Sequence, residues 1–372
     1  MNTTTINLAI AIPTFNRVKQ LTRAIASIER QIVEHGVVLH CVISNTASTD
    51  GTNDYLRSLT STSIKLHVQS SYQSNTRINF YNLASSIPAE IDWVWLMGDD
   101  DLLNTDNAVQ EVCKVIRQYD DPSLTLVHAC QARRSRATGT HLQGTLLQLC
   151  NHLGYHEMLG WMSSLVVRRD RFVEGIKELH EQTLNFKDDD SLLSNKFSAY
   201  PHSAGLLRHC HADKAIFVDL PLVEPQDQAQ TGESIDRWKI EHVGERYFFV
   251  IDDLLWLKKN NCLGSGVTRE FFRYLNGHFW DRYMQSVVSD MVNGGTLTPT
   301  IAEKVQRMRS IGDLLGAQPD KKMWQQVVDG LEREMQVFSE SLRNFNSLRS
   351  GLIKRFNEAA QPCYPFEVLI RD

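Results

Sequence analysis

An alternation in the first hundred residues restricts what this chain can fold into more than any other feature. Runs of apolar, largely β-branched residues at 8–12, 37–44, 64–68 and 93–97 are separated by segments with a different apolar period. In the first such segment Val18, Leu21, Ile25, Ile28 and Ile32 recur at steps of three and four, the stripe of an amphipathic helix. Strands alternating with helices at this spacing predict a mainly parallel sheet covered on both faces. In such sheets ligands collect at the carboxyl ends of the strands. Three of those ends are polar here: PTFNR at 13–17, NTASTD at 45–50 and GDDD at 98–101.

The third end is the most demanding chemically. In WVWLMGDDDLL, residues 93–103, an apolar strand runs into Gly98 and then Asp99, Asp100 and Asp101. Adjacent carboxylates repel one another, so the arrangement is costly unless hydrogen-bond donors or a cation compensate. A hard divalent ion shared with substrate phosphates would do so. A solvated acidic turn before the next helix is the plain alternative. In that helix Asn104 or Thr105 is the cap, and Ala108, Val112, Val115, Ile116 and Tyr119 face one side. The convergence of three polar strand ends favours the ligand site.

With 372 residues, 42% hydrophobic and 22% charged, the chain has room for a large core and reads as an ordinary globular protein. A formal charge of −5 argues against a nucleic-acid partner held by a global basic field. An anionic substrate must then meet local positive groups. Seven scattered cysteines without a CxxC pair fit a reducing compartment better than a disulfide scaffold or a cysteine zinc site. The start, MNTTTINLAIAIP, lacks the basic flank of a signal peptide, and no apolar run reaches the ~20 residues of a membrane span. The expected location is therefore cytoplasmic, with membrane contact at most peripheral, at the inner face.

Beyond the acids, LTLVHA (124–129), SSLVVRR (163–169) and AIFVDLPLV (215–223) read as further strands. Between the first two lie Arg133, Arg134 and Arg136 and a stretch, 144–159, without a clear period. From about residue 233 long helical patterns take over, as at 247–257, 271–292 and 323–356. A boundary within 225–235 divides the chain into an α/β domain, residues 1–230, and a helical region, residues 231–372.

IAIPTFNR (10–17), SNTASTDGT (44–52), NTRINFYNLA (75–84) and WLMGDDD (95–101) occur in the order and spacing of the family-2 nucleotide-sugar glycosyltransferases. The chain resembles that family over about its first 225 residues. The GDDD form and SSLVVRRD resemble its abequosyltransferase-like branch, which builds bacterial surface polysaccharides. The resemblance implies a GT-A fold, Rossmann-like with a mainly parallel central sheet, followed by a mostly helical C-terminal region. It implies a nucleotide-sugar donor, a glycan or lipid-linked acceptor, and Mn2+ or Mg2+ as cofactor. By the same resemblance Pro13, Thr14 and Asn45 approach the nucleotide base, Asp50 shapes that loop, and Arg77 reaches the base or the phosphates. Asp99 and Asp101 match the ends of a DXD motif, Asp99 near ribose and metal and Asp101 a direct ligand, with Asp100 among the substrate-binding residues. A metal there would offset the charge developing on a diphosphate leaving group. The family usually has Asp where this chain has Asn45, which leaves the identity of the nucleotide open.

Inverting transfer needs a base for the acceptor hydroxyl, which the family supplies as an acid early in a helix after the SSLVVRRD strand. Two places are candidates here: FKDDDSLL, with Asp188, Asp189 and Asp190, and YPHSAG, with His202. Acids favour a helix start on electrostatic grounds alone, and histidine is a base near neutral pH without tuning. Asp189 and Asp190 lead, with His202 close behind. His209 and His211 would add a metal ligand, and the arginines at 133, 134, 136, 168 and 169 would meet a phosphate, although exposed histidines and arginines are commonly mere surface.

In the helical region Val327, Leu331, Met335, Phe338, Leu342 and Phe345 step by nearly a heptad, a pattern for a homo-oligomer. The basic and apolar mixture of RNFNSLRSGLIKRF suits an anionic membrane surface. Two other functions remain: a catalytically silent sugar-nucleotide-binding or scaffolding protein, and a nucleotidyltransferase, for which the Gly-rich basic loop is missing from the first strand end.

Overall fold

A computed structural model describes residues 5–61, 64–71, 76–119, 121–184 and 200–226, and, further on, 254–264, 266–268, 271 and scattered positions between 306 and 333. The first elements alternate: β1 (Ile6–Thr14), α1 (Val18–Glu29), β2 (Val37–Thr46), α2 (Thr52–Ser58), β3 (Lys65–Ser71), α3 (Thr76–Ser86) and β4 (Trp93–Leu96). After the acids come β5 (Asp101–Leu103), α4 (Ala108–Tyr119), β6 (Leu124–Gln131), β7 (His141–Thr145), α5 (Leu146–Leu153) and α6 (Tyr155–Leu159). A 3-10 turn (Met162–Ser164), β8 (Leu165–Arg168), α7 (Arg169–Leu184), α8 (Pro201–Cys210) and β9 (Lys214–Pro225) complete the set.

The strands form one sheet in the order β3-β2-β1-β4-β8-β6-β9-β5, with β7 also paired to β9. From β3 to β4 every pair is parallel; beyond β4, β8 runs antiparallel to both its neighbours while β6 and β9 are again parallel. Central β1 and β4 are almost wholly buried, as strands covered on both faces must be. One core joins the sheet to Leu21, Ile25 and Ile28 of α1 and to Val109, Val112 and Ile116 of α4. On the other side α3 contacts β1, β2 and α7, and α7 packs on α8.

Three local features differ from the sequence reading. Ile32 is not on the buried face: α1 ends at Glu29, and Ile32 is 56% exposed. Its expected place is taken by Gln31, whose side-chain amide donates to the carbonyls of Ser27 and Thr105 and accepts from the Val109 N–H. The acids themselves enter a short strand, β5, which pairs antiparallel with the end of β9. In 144–159, where no period was legible, the chain closes β7 and forms two short helices.

The chain divides into two compact units, residues 1–149 with 158–234 and residues 150–157 with 235–372. Within the second, Tyr155 packs on Phe271 at 5.4 Å between ring centroids, and Thr268 donates from N–H and hydroxyl to Asn151 at 3.0 and 2.8 Å. Trp324 is fully buried, and a Cβ on Gly312 would lie 2.9 Å from its ring. The helix expected at 271–292, the heptad from Val327 to Phe345, the basic segment after it and the run Asp188–Asp190 lie outside the described residues, save isolated positions. No helix among the described residues is long and apolar enough to cross a membrane.

Candidate active site

Parallel pairing brings Thr14 of β1 level with Asn45 of β2, and β4 delivers the acids beside them. The Thr14 hydroxyl donates to Asp99 Oδ2 at 2.7 Å, and Arg17 Nη1 lies 2.7 Å from both Asp99 Oδ1 and Asp100 Oδ2. Both oxygens of Asp99 therefore have donors. Asp101 is held from the other side: the Ser163 hydroxyl donates to its Oδ2 and accepts the Gly98 N–H at 2.8 Å. Gln226, just past β9, ties the acid turn down, its N–H donating to the Asp100 carbonyl at 2.9 Å.

Among the described residues the cluster sets three carboxylates against one guanidinium, Arg17. Burial, opposed by Arg17 and reinforced by Asp100, raises the Asp99 carboxyl to about 6. Burial followed by the Asp100 charge raises Asp101 as well, and the Ser163 hydrogen bond only partly offsets this. Gly98 has a steric part. A Cβ there would lie 2.9 Å from both Asp100 Oδ1 and Asp101 Oδ2, so two oxygens of different carboxylates converge on space that only glycine leaves open.

That convergence tests whether a hard cation fits. No group of three His, Cys, Asp or Glu side chains able to hold a metal occurs among the described residues. Two carboxylate oxygens, with other positions left for substrate phosphates and water, are the pattern by which Mg2+ is commonly bound. The donor set fits.

The neighbouring loop is built from polar side chains that satisfy one another. Asn45 donates to Asn53 Oδ1 at 2.7 Å and accepts the Ser48 hydroxyl at 2.6 Å, while Ser48 also accepts the Asn16 N–H at 2.8 Å. A carboxylate at position 45 could accept from Ser48 but could not donate to Asn53. Asp50 accepts the Val18 N–H at 2.9 Å and the Thr52 N–H and hydroxyl at 3.1 and 2.6 Å, capping α1 and α2 together. Its carboxyl is lowered: burial alone would raise it, and the bonds from Thr52 and Val18 outweigh that. Phe15, between Thr14 and Asn16, is 40% exposed.

Thus Pro13, Thr14, Asn45, Asp50, Asp99, Asp100 and Asp101 gather at one end of the sheet. Arg77 is the second residue of α3, and its side chain is outside the described part, as are Asp189 and Asp190. His202 is in α8, 5% exposed, stacked on Phe80 at 5.5 Å, and among the described residues neither ring nitrogen has a hydrogen-bond partner at good geometry. Burial lowers its imidazole to about 4. His209 lies between Glu174 and Glu178 at 3.2 and 3.3 Å, at the end of α8 leading to the start of β9 and so away from the acids. Arg169 is spent on the carbonyls of Pro88 and Ile87, and Arg168 lies over Trp93, at the start of β4 rather than its end. Sequence reasoning assigned no role to Arg17 or Ser163. Arg17 belongs to the first motif and was legible as a cation at a strand end; Ser163 is 62 residues beyond Asp101, and no local signal joins them.

A cavity of about 500 Å³ opens at the opposite end of the strands, lined by Thr125, Gln143, Arg171, Asp213 and Lys214 among others. Its Arg171 and Lys214 are paired with Asp213 and Asp121, so it offers no unmatched charge to a substrate.

The sheet order and the acidic end of β4 define a GT-A architecture. The family model described as glycosyl transferase family 2 matches residues 9–196, just over half of the chain. This protein belongs to that family. Among solved structures it is similar to residues 1–349 of S. aureus TarS in complex with UDP, at 13% identity, covering 96% of this chain and 92% of that one with a TM-score of 0.50. The mannosyltransferase PcManGT from Pyrobaculum calidifontis, in complex with GDP-Man and Mn2+, matches at 13% identity over 99% and 89% with a TM-score of 0.43. At such identity the first likeness speaks to the fold. No curated protein matches by sequence.

Proposed function

We propose that this family-2 member transfers a sugar from a nucleotide-sugar donor to a glycan or lipid-linked acceptor with the help of Mn2+ or Mg2+. The observation that carries the reading is the crowding of Asp99, Asp100 and Asp101 at one strand end, where Arg17 is the one guanidinium facing them among the described residues. A divalent ion bound there would neutralise charge on the diphosphate leaving group. Asp101 is engaged by Ser163 through Oδ2 and Asp100 by Arg17 through Oδ2, so each would offer its Oδ1, whereas both oxygens of Asp99 already accept hydrogen bonds; Asp100 and Asp101 are therefore better placed to hold it than the expected pair Asp99 and Asp101. Asp99 then serves to fix Arg17, and Arg17 faces the diphosphate as the positive group of the strand end.

Exposed Phe15 offers a ring for the base to stack on, beside the Asn45–Ser48–Asn53 network. Arg77 is assigned to the phosphates or the base from the family motif. For inverting transfer the burial of His202 favours Asp189 or Asp190 as the base, since a lowered imidazole is a poor proton acceptor at neutral pH. The motifs SSLVVRRD and GDDD are the ground for assigning the abequosyltransferase-like branch, and with it bacterial surface-polysaccharide synthesis at the cytoplasmic side of a membrane. The two-domain reading, a catalytic domain to residue 230 and a helical region after it, is part of the same proposal.

The test is a screen of nucleotide sugars for hydrolysis and transfer with added Mn2+. Wild-type protein should turn over one of them and lose the activity on chelation. Asp101→Asn should abolish it, and Arg17→Met should reduce it by roughly 100-fold. Turnover that survives both chelation and Asp101→Asn would remove the reading.

A further inference from the structure

The residues linking β6 to β7, 132–140, carry Arg133, Arg134 and Arg136 on a chain whose formal charge is −5. Topology puts this loop near the donor end. Gln131 pairs with Val223 of β9, the Ala132 N–H donates to the Val223 carbonyl at 2.7 Å, and Val223 pairs on its other edge with Leu103. Asp101 pairs two residues further along β9, with Pro225. The arginine loop thus leaves the sheet roughly 7 Å short of the acids along the strand and two strands over.

The loop is held in one shape. Asp219, in the stretch of β9 that it crosses, accepts the Ser135 hydroxyl at 2.8 Å, the Arg136 N–H at 2.9 Å and the Thr138 hydroxyl at 2.6 Å. The main chain of Asp219 bonds both ways, accepting from the Gly139 N–H at 3.1 Å and donating to the Thr140 carbonyl at 3.0 Å. At the turn Ala137 has φ 54°, a left-handed conformation uncommon for a residue with a side chain, and its N–H is bound by the Ser135 hydroxyl at 2.9 Å. Strain of that kind persists where surroundings over-determine the backbone, and it collects at ligand sites.

Asp219 spends its charge on hydroxyls and main-chain N–H groups, not on a guanidinium. Arg133 and Arg136 are exposed and pair with no acid among the described residues. Two unpaired guanidiniums on a prearranged loop match the geometry of phosphate, which arginine binds through paired N–H donors.

We propose that this loop is a binding site for a phosphate group of the acceptor substrate, gripped by Arg133 and Arg136 beside the donor site. The word acceptor rests on the transferase reading; the phosphate site does not. Asp219 is a positioning residue that sets the loop.

The test measures binding of fluorescein-labelled short-chain inorganic polyphosphate to the full chain by anisotropy, across a salt series. The double variant R133Q/R136Q should bind roughly 10-fold or more weakly, with a shallower salt dependence. Asp219→Ala, which keeps every arginine, should weaken binding several-fold by releasing the loop. Unchanged polyphosphate affinity in R133Q/R136Q overturns the proposal. So does a loss confined to vesicles of 30% phosphatidylglycerol in phosphatidylcholine, which would assign the arginines to a membrane surface. R133Q/R136Q should hydrolyse the nucleotide-sugar donor at the wild-type rate, and a donor defect equal to the binding defect would also overturn it. A protein inactive on every donor yet still binding polyphosphate through these arginines would sink the transferase reading and leave the phosphate site standing.

Discussion

At the scale of single residues, His202 shows how far a plausible sequence reading depends on surroundings. Its position at the start of α8 suggested a base, yet the side chain is buried against Phe80 with its imidazole lowered from 6.5 to about 4. The consequence is a stability effect with a definite sign. Above pH 6.5 the ring is neutral both folded and unfolded, so it adds no pH dependence. From pH 6.5 down to about 4 the unfolded chain takes up a proton that the folded state refuses, and stability falls as the pH falls, by about 3 kcal/mol in all. His202→Phe keeps a ring on Phe80 and has no nitrogen to protonate. Urea midpoints at pH 7, 5 and 4 should therefore fall less steeply in the variant, while donor turnover is retained. Identical slopes would show that another group carries the acid sensitivity. The acid cluster at residues 99–101 was legible because strand-end acids need compensation; the compensators were less so, since Ser163 meets Asp101 only through the sheet.

At the scale of elements, the alternation of periods located the strands of the parallel half of the sheet to within three residues at each end. It failed where the signal was not periodic. β5 is three residues long, and the acid run gives no strand pattern; it is a strand because the end of β9 pairs with it. The packing of α7 on α8 is a similar case. A Cβ on Gly175 would meet the Gly205 carbonyl oxygen at 3.1 Å, and one on Gly205 would meet the Gly175 carbonyl group at 3.2 Å. Each glycine weakens its own helix by about 1 kcal/mol relative to alanine. Overpacking costs about 1–3 kcal/mol, and here the atoms in the way are backbone, which cannot swing aside. Gly205→Ala is thus expected to lower stability by about 1 kcal/mol net of its propensity gain. A denaturation midpoint above wild type would mean that the helices separate at no cost. Neither glycine stands out in the sequence, because close approach of two helices is not a local property.

At the scale of the whole molecule, the division into units does not follow the chain. Residues 150–157 belong with 235–372 although they interrupt the first unit, and within the second unit Tyr155 and Asn151 are satisfied by Phe271 and Thr268. A chain ending at residue 234 leaves those groups without their partners. Such a truncation should lose about 2 kcal/mol, a fall in melting midpoint of roughly 4–8 °C by calorimetry; a midpoint equal to that of the full chain would show that the excursion needs no cover. The sequence by itself determined the β-α alternation, the polar strand ends and the family, because period and motif spacing are local and survive without coordinates. Only the tertiary structure decided that Arg17 bridges Asp99 and Asp100, that Ser163 holds Asp101, and that the arginine loop leaves the sheet from the same end of the strands. The reason is physical: these residues are brought together by strand pairing across 62 to more than 80 positions, and pairing is fixed by the register of the whole sheet rather than by any stretch of chain.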